Sequence, residues 1–328
     1  MRYVITGATG FIGGRLARRL RQAGHQVVAV VRDPARATGL CDLGIDLRPG
    51  DVTDRRSLHD AMRGADGVFH LAGWYALGRL DRARMRAINV GGARNALEVA
   101  AELGVPRIVH TSTVGVFGNT HGRVVDEEYR APKEAMTSEY ERTKWEAHYE
   151  VAVPLQRCGT PVVIVQPGGV TGAGDSSPHV QIFDMFLRRT PVMFGAKSGL
   201  TWAHVEDIAL GHALAMEQGA AGESYVLAGE AVTYRATFQI LERLSGIGAT
   251  KTWAPGWVAT GLGGAVGVLE SLGLRLPISA EGLRSLADYT YWASAAKARR
   301  RLGWTFRPVE EVLREVLEDL RTRTPTGP

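Results

Sequence analysis

Apolar residues recur along this chain with two different spacings. Tyr3, Val4 and Ile5 form a short continuous apolar run, after which Ile12, Leu16 and Leu20 return at helical spacing on one face. Continuous apolar runs at 27–31, 68–71, 107–111 and 162–165 predict buried strands, and amphipathic patterns near 54–63, 82–103 and 138–158 predict helices between them. Buried strands alternating with helices make a doubly wound α/β fold, a parallel sheet covered on both faces. Past Pro167 the pattern loosens into one strand at 223–227 and helices near 235–245, 257–272 and 308–321. The expected organisation is a sheet domain of 1–166 plus about 203–232, an interleaved smaller domain of about 167–202 plus 233–320, and a polar tail at 321–328.

Between the first strand and the first helix lies Thr6-Gly7-Ala8-Thr9-Gly10-Phe11-Ile12-Gly13. Glycine at 7 permits a tight turn, glycine at 10 lets a pyrophosphate approach the backbone, and glycine at 13 lets the helix pack close to the strand. The anion would sit on unpaired N–H groups at the helix N-terminus. This is a Rossmann-type dinucleotide site, and its other residues are expected where the sheet strands end.

Bulk composition removes several alternatives. The 328 residues are 45% hydrophobic, enough for a large core, and Cys41 and Cys158 are too few and too far apart for a disulfide framework or thiolate metal site. No charged and apolar leader precedes the first strand, so a cytoplasmic location is expected. The net charge of +5 comes from dispersed arginines without base-stacking aromatics, which argues against nucleic acid as a partner. Residues 252–269 carry no charge but include Pro255 and five glycines, so a helix closing an apolar pocket is expected rather than membrane contact. No histidine has metal-ligand spacing, and no metal is expected.

The chemistry gathers around Tyr140 and Lys144, whose i and i+4 spacing puts them on one helix face. An ammonium beside a phenol favours the phenolate and would bring its pKa down toward the working range. Ser112 and Thr113 follow a predicted strand and offer a hydroxyl to the same substrate oxygen. His70 and His204 read as packed and hydrogen-bonded, while His121 and His179 fall in loops near the expected cleft.

Taken together, TGATGFIG at 6–13, GDVTD at 50–54, FHLAG at 69–73, NVGGARNALEVA at 89–100, HTSTVGVFG at 110–118, YERTK at 140–144, QPGGVTGAGD at 166–175 and HVED at 204–207 resemble an extended short-chain dehydrogenase/reductase. The resemblance covers roughly residues 1 to 312. It implies Tyr140 as general acid or base, Lys144 on the nicotinamide ribose, and Thr113 orienting the substrate oxygen. It also implies cofactor contacts from Gly7, Thr9, Gly10, Phe11, Ile12 and Gly13, from Asp51 and Val52 at the adenine, and from Leu71, Ala72 and Gly73. Asn89 would be a structural or near-cofactor contact, Pro167, Gly168, Gly169 and Val170 would face the nicotinamide, and the helices at 82–103 and 138–158 would pair in a homodimer.

Within that family, NAD-preferring members end the second strand with an acidic residue, whereas this chain has Val31 followed by Arg32, which suits a 2′-phosphate. The string VRDPAR at 31–36 is similar to dihydroflavonol-reductase-type members, and NADP is the expected cofactor, with NAD, held by Asp33, as the alternative. Nucleotide-sugar members grip a diphosphate with an Asn and an Arg whose places here hold Gly169 and Leu200. Trp74 and Tyr75, with His179, are expected on the substrate side of an apolar pocket. The expected function is NADP(H)-dependent reduction of a hydrophobic ketone or aldehyde. The alternatives are a nucleotide-sugar or hopanoid-associated sugar epimerase or dehydratase, and a non-catalytic NADP(H) sensor.

Overall fold

The structure is a computed structural model that describes all residues except 79–80, 179, 191, 249–250, 275–278 and 324–328. In chain order its strands are β1 (Arg2–Thr6), β2 (Gln26–Val31), β3 (Asp46–Pro49), β4 (Gly67–His70), β5 (Ile108–Thr111), β6 (Val162–Pro167) and β7 (Gly169–Thr171). They continue as β8 (Val192–Phe194), β9 (Gly199–His204), β10 (Ser224–Leu227), β11 (Glu230–Thr233), β12 (Thr252–Ala254) and β13 (Thr290–Tyr291).

One parallel sheet runs in the order β10-β6-β5-β4-β1-β2-β3. Its residues alternate between two cores. Val4, Val68, Ile108 and Ile164 cluster with Leu58, Met62 and Leu97, whereas Ile5, Phe69, Val109 and Val163 cluster with Leu16, Leu20 and Ile208. Burying each such side chain contributes about 1.5–3 kcal/mol, which is why these strands read as unbroken apolar runs. The order reverses between β1 and β4, and that reversal opens a cleft at their carboxyl ends.

Three features differ from the expected pattern, each for a physical reason. Edge strand β3 contains Asp46, Arg48 and Pro49 and stays largely exposed, so it has no apolar run to find. Helix Val205–Gln218 buries nine residues around its circumference and therefore lacks the one-sided period of a surface helix. The helices expected at 82–103 and 138–158 are each interrupted by a wide turn, Ala87–Gly91 and Ala147–Ala152; Pro154 opens the segment after the second.

The C-terminal half builds a small sheet around β9, which pairs antiparallel with β11 and parallel with β7 and β13. Phe183, Phe186, Trp202, Phe238 and Val316 form its core. The helix Gly256–Ser271 does not close the cleft as expected; from this part of the chain, among the described residues, Gly282, Ser285 and Leu286, at and just after Ala280–Ser285, reach the cleft lining instead. Its inward face is made of the small residues Gly256, Ala259 and Gly263, with Gly263 close against Ala280–Ser285 and Gly256 against Ala287 and Asp288, while large side chains such as Trp257 and Val268 are exposed.

Candidate active site

The cleft begins at the glycine turn. Gly7 has φ +83°, and a Cβ there would stand 2.6 Å from the Ala72 backbone nitrogen; at Gly13 it would stand 2.1 Å from the Gly7 carbonyl oxygen. Only glycine lets the turn, the end of β4 and the helix Phe11–Gln22 approach so closely. Gly10 caps that helix without a side-chain hydrogen bond, so the N–H groups of the first turn remain open for an anion. This cradle fits a dinucleotide pyrophosphate.

Two cavities extend from the turn, sharing Gly7, Gly10, Leu71 and Gly73 in their walls. The first, about 440 Å³, is lined by Thr9, Val31, Arg32, Asp51, Val52 and Ala72. Asp51 in this lining accepts from the Thr53 N–H and hydroxyl at 2.9 and 2.8 Å, and Asp33, next to Arg32 but outside the lining, accepts from the Ala35 N–H at 3.1 Å. Arg32 makes no hydrogen bond or ion pair among the described residues and faces the cavity.

Trp74 also lines this first cavity, with the Arg84 guanidinium 5.5 Å above its ring. Its expected place on the substrate side is thereby corrected. Asn89 accounts for the position: its carbonyl accepts from the Trp74 N–H at 2.7 Å, while its amide donates to the Trp74 carbonyl at 3.1 Å and the Thr143 hydroxyl at 2.9 Å. Buried and fully bonded, Asn89 braces the fold and does not line the cleft.

The second cavity, about 420 Å³, brings together Thr113, Tyr140, Lys144, Pro167, Gly168, Gly169 and Val170, with Phe11, Ile12 and Gly13 at its inner end. Ser138 caps the helix Glu139–Glu146 and so starts it at the register that turns Tyr140 and Lys144 into the cleft. Thr113 accepts from the Gly115 N–H at 3.1 Å, leaving its own proton for the hydrogen bond to Tyr140. Ser112 also lines this cavity, with its hydroxyl hydrogen-bonded to His148 at 2.8 Å.

The expected lowering of the Tyr140 pKa by Lys144 is not what the structure supports. Burial pushes the phenol up to about 12 against the opposing Thr113 hydrogen bond. The Lys144 ammonium donates to the Thr111 carbonyl at 2.7 Å, and burial brings it down to about 8. Burial and the Lys144 charge hold His70 and His148 at about 3, so both are neutral side chains rather than bases.

On the substrate side, the Tyr75 ring lies 4.5 Å from that of Tyr140, and Leu77, Ile182, Met185, Leu200 and Tyr234 supply apolar wall. A Cβ on Gly169 would stand 3.2 Å from the Leu200 side chain, because the two residues sit on the paired strands β7 and β9 and share one wall of the cavity. Lys144 is the sole cation in this lining among the described residues. Glu141 is a site residue that sequence reasoning missed: it accepts from the Tyr291 hydroxyl at 2.6 Å and from the Thr137 N–H and hydroxyl at 2.7 and 3.0 Å. Its adjacency to Tyr140 was visible, but its partner Tyr291 lies 150 residues away.

The sequence singles out four histidines, His70, His121, His179 and His204. His70 bonds to Thr6 at 2.8 Å, and His204 caps Val205–Gln218 and meets Glu315 at 2.9 Å. His121 occupies an exposed turn outside the cleft lining, and His179 lies outside the described residues. No cluster of His, Cys, Asp or Glu fit for a metal occurs among the described residues.

Residues 3–228 match the family model of the NAD dependent epimerase/dehydratase family. A Synechocystis protein named "Putative dihydroflavonol 4-reductase" is 33% identical over 323 residues, covering 96% of this chain and 93% of that protein. A Stigmatella aurantiaca protein named as a 4-hydroxy-2-methyl-3-oxo-4-farnesyl-3,4-dihydroquinoline-1-oxide ketoreductase is 30% identical, covering 100% and 98%. Among solved structures, that of gox2253 superposes with a TM-score of 0.85 at 28% identity, covering 99% of each chain.

Proposed function

This chain belongs to the NAD dependent epimerase/dehydratase family of extended short-chain dehydrogenases/reductases, NAD(P)-dependent oxidoreductase-type enzymes, and from that premise we propose that it is an NADP(H)-dependent carbonyl reductase for a hydrophobic ketone or aldehyde. The observation that carries this reading is the apolar wall of Ile182, Met185 and Leu200 in a cavity whose sole lining cation, among the described residues, is Lys144. A nucleotide sugar brings a diphosphate, which needs charge-assisted contacts; here it would meet leucine and the buried Glu141 carboxylate. A ring ketone would instead lie against Tyr75, Ile182, Met185 and Leu200. The ketoreductase relative, named for a farnesyl-bearing oxo compound, supports the same substrate class.

In this reading the nicotinamide cofactor supplies the hydride when bound, and the chain supplies the proton and the geometry. A phenol held near 12 remains protonated at neutral pH, the form that donates to an alkoxide oxygen. Thr113 orients Tyr140 through their hydrogen bond, and Lys144, with one donor on the Thr111 carbonyl, would hold the ribose hydroxyls with its remaining donors. Arg32, without a hydrogen bond or ion pair among the described residues while Asp33 is engaged in its own turn, supports NADP over NAD.

The test pairs two measurements on the purified enzyme. NADPH oxidation should be seen with alicyclic or aromatic ketones, and UDP, GDP or dTDP should show no saturable binding below about millimolar. Micromolar binding of a nucleoside diphosphate to the cofactor-loaded protein, with no ketone turnover, would replace this reading with a sugar-nucleotide epimerase.

A further inference from the structure

The helix Gly256–Ser271 has its small and large residues on the wrong sides. Gly256, Ala259 and Gly263 are buried, while Trp257 is 76% exposed, Val268 61% and Leu262 44%; Leu272 and Leu274 just beyond it are 74% and 51% exposed. Positions 257, 261, 264, 268 and 272 follow one another at helical spacing, giving an outward stripe of Trp, Gly, Gly, Val and Leu without a charge. An ordinary surface helix is arranged the other way, and a continuous exposed apolar stripe marks an interaction surface.

Its surroundings indicate what covers it. Sixteen residues extend about 24 Å, short of the roughly 30 Å hydrocarbon core, and no described helix is long and apolar enough to cross a membrane. Exposed cations frame the stripe: Lys251 precedes it, Arg235 lies 5.6 Å above the neighbouring Trp253 ring, and the Arg284 guanidinium reaches within 3.6 Å of where a Gly267 side chain would begin. An uncharged stripe with a tryptophan and flanking cations suits the headgroup layer of an anionic bilayer. The helix also packs on Ala280–Ser285, whose Gly282 and Ser285 line the Tyr140 cavity.

We propose that Gly256–Ser271 docks in the plane of an anionic membrane surface, with Trp257, Val268 and Leu272 inserted and Lys251, Arg235 and Arg284 on phosphate headgroups. The Tyr140 cavity then stands one helix away from the bilayer. This docking is independent of which compound the site reduces.

The experiment is flotation of the purified full-length chain with vesicles of phosphatidylcholine containing about one-quarter phosphatidylglycerol, beside vesicles of phosphatidylcholine alone. The wild type should float with the anionic vesicles and detach as salt is raised. Trp257→Ser with Leu272→Ser should lower partitioning at least tenfold, with an unchanged Tm and unchanged NADPH binding, since both side chains are exposed. Lys251→Gln with Arg284→Gln should weaken binding to the anionic vesicles selectively. Failure of the wild type to float, or flotation of the double serine variant at the wild-type level, would overturn the proposal. A concentration-dependent dimer that the double serine variant abolishes, without vesicle binding, would assign the stripe to a second copy of the chain and overturn it equally.

Discussion

At the Arg32 end of the cleft, the chain contributes the glycine turn, the tip of β2, the segment around Asp51 and the stretch after β4 that ends at Trp74, with Arg84 and Ile88 beside it. At the Tyr140 end, the half-buried Tyr75 and the buried Glu141, Leu200, Tyr234 and Tyr291 arrive from five separated segments to line one cavity. Their environments differ accordingly. Asp33 and Asp51 are satisfied within their own turns near solvent, whereas burial shifts the titration of Tyr140, Lys144 and Glu141. A phosphate cradle needs only local backbone geometry, while a substrate pocket needs walls that close from several directions. The same contrast explains why a single glycine pattern can serve many enzymes whose substrates share nothing.

If the Tyr140 end carries the chemistry and the Arg32 end carries cofactor choice, their variants should separate cleanly. Tyr140→Phe removes the transferable proton but keeps the ring against Tyr75, so steady-state kinetics should show turnover reduced about a hundredfold or more, roughly 2.7 kcal/mol, with NADPH binding retained. Near-normal turnover would break the division at its centre.

Lys144→Met tests whether the Tyr140 end is built against stability. The folded-state pKa of about 8 lies below the ordinary 10.5, so between those values the unfolded chain binds more protons and the wild type gains stability as pH rises. Below about pH 8 the folded state carries the whole penalty of a buried charge, so denaturant titration at pH 7 should find the methionine variant about 2–3 kcal/mol more stable, after loss of the Thr111 hydrogen bond, and inactive. The gain should vanish above about pH 10. A variant less stable than wild type at pH 7 would mean that Lys144 braces the fold.

Arg32→Ala should weaken NADPH by about 2 kcal/mol in calorimetry and leave NADH nearly unchanged, because a charge-assisted contact to one extra phosphate is all that is removed. Equal losses for both would reject the NADP assignment. The smallest effect expected is also the one that locates the boundary between the two ends. Tyr75→Ala should weaken ring ketones by about 1 kcal/mol and spare NADPH, whereas Trp74→Ala should do the reverse, since these neighbours line different cavities. Identical profiles for the two variants would merge the ends into one site.

The sequence by itself determined the parallel sheet, the glycine turn and the pairing of Tyr140 with Lys144, because each is written in short-range spacing: unbroken apolar runs, glycines at 7, 10 and 13, and an i, i+4 step. Tertiary structure alone decided that Trp74 and Tyr75 face different cavities, since Asn89 fixes the intervening backbone from another helix. It also decided that Lys144 is spent on the Thr111 carbonyl and that Glu141 meets Tyr291. Strand β3 and the helix Val205–Gln218 escaped prediction for opposite reasons, one exposed at an edge and the other buried all round. Periodicity reports which side of an element is wet. Desolvation and contact between distant segments exist only once the chain has closed, and those are what set the Tyr140 phenol near 12 and bring Gly169 against Leu200.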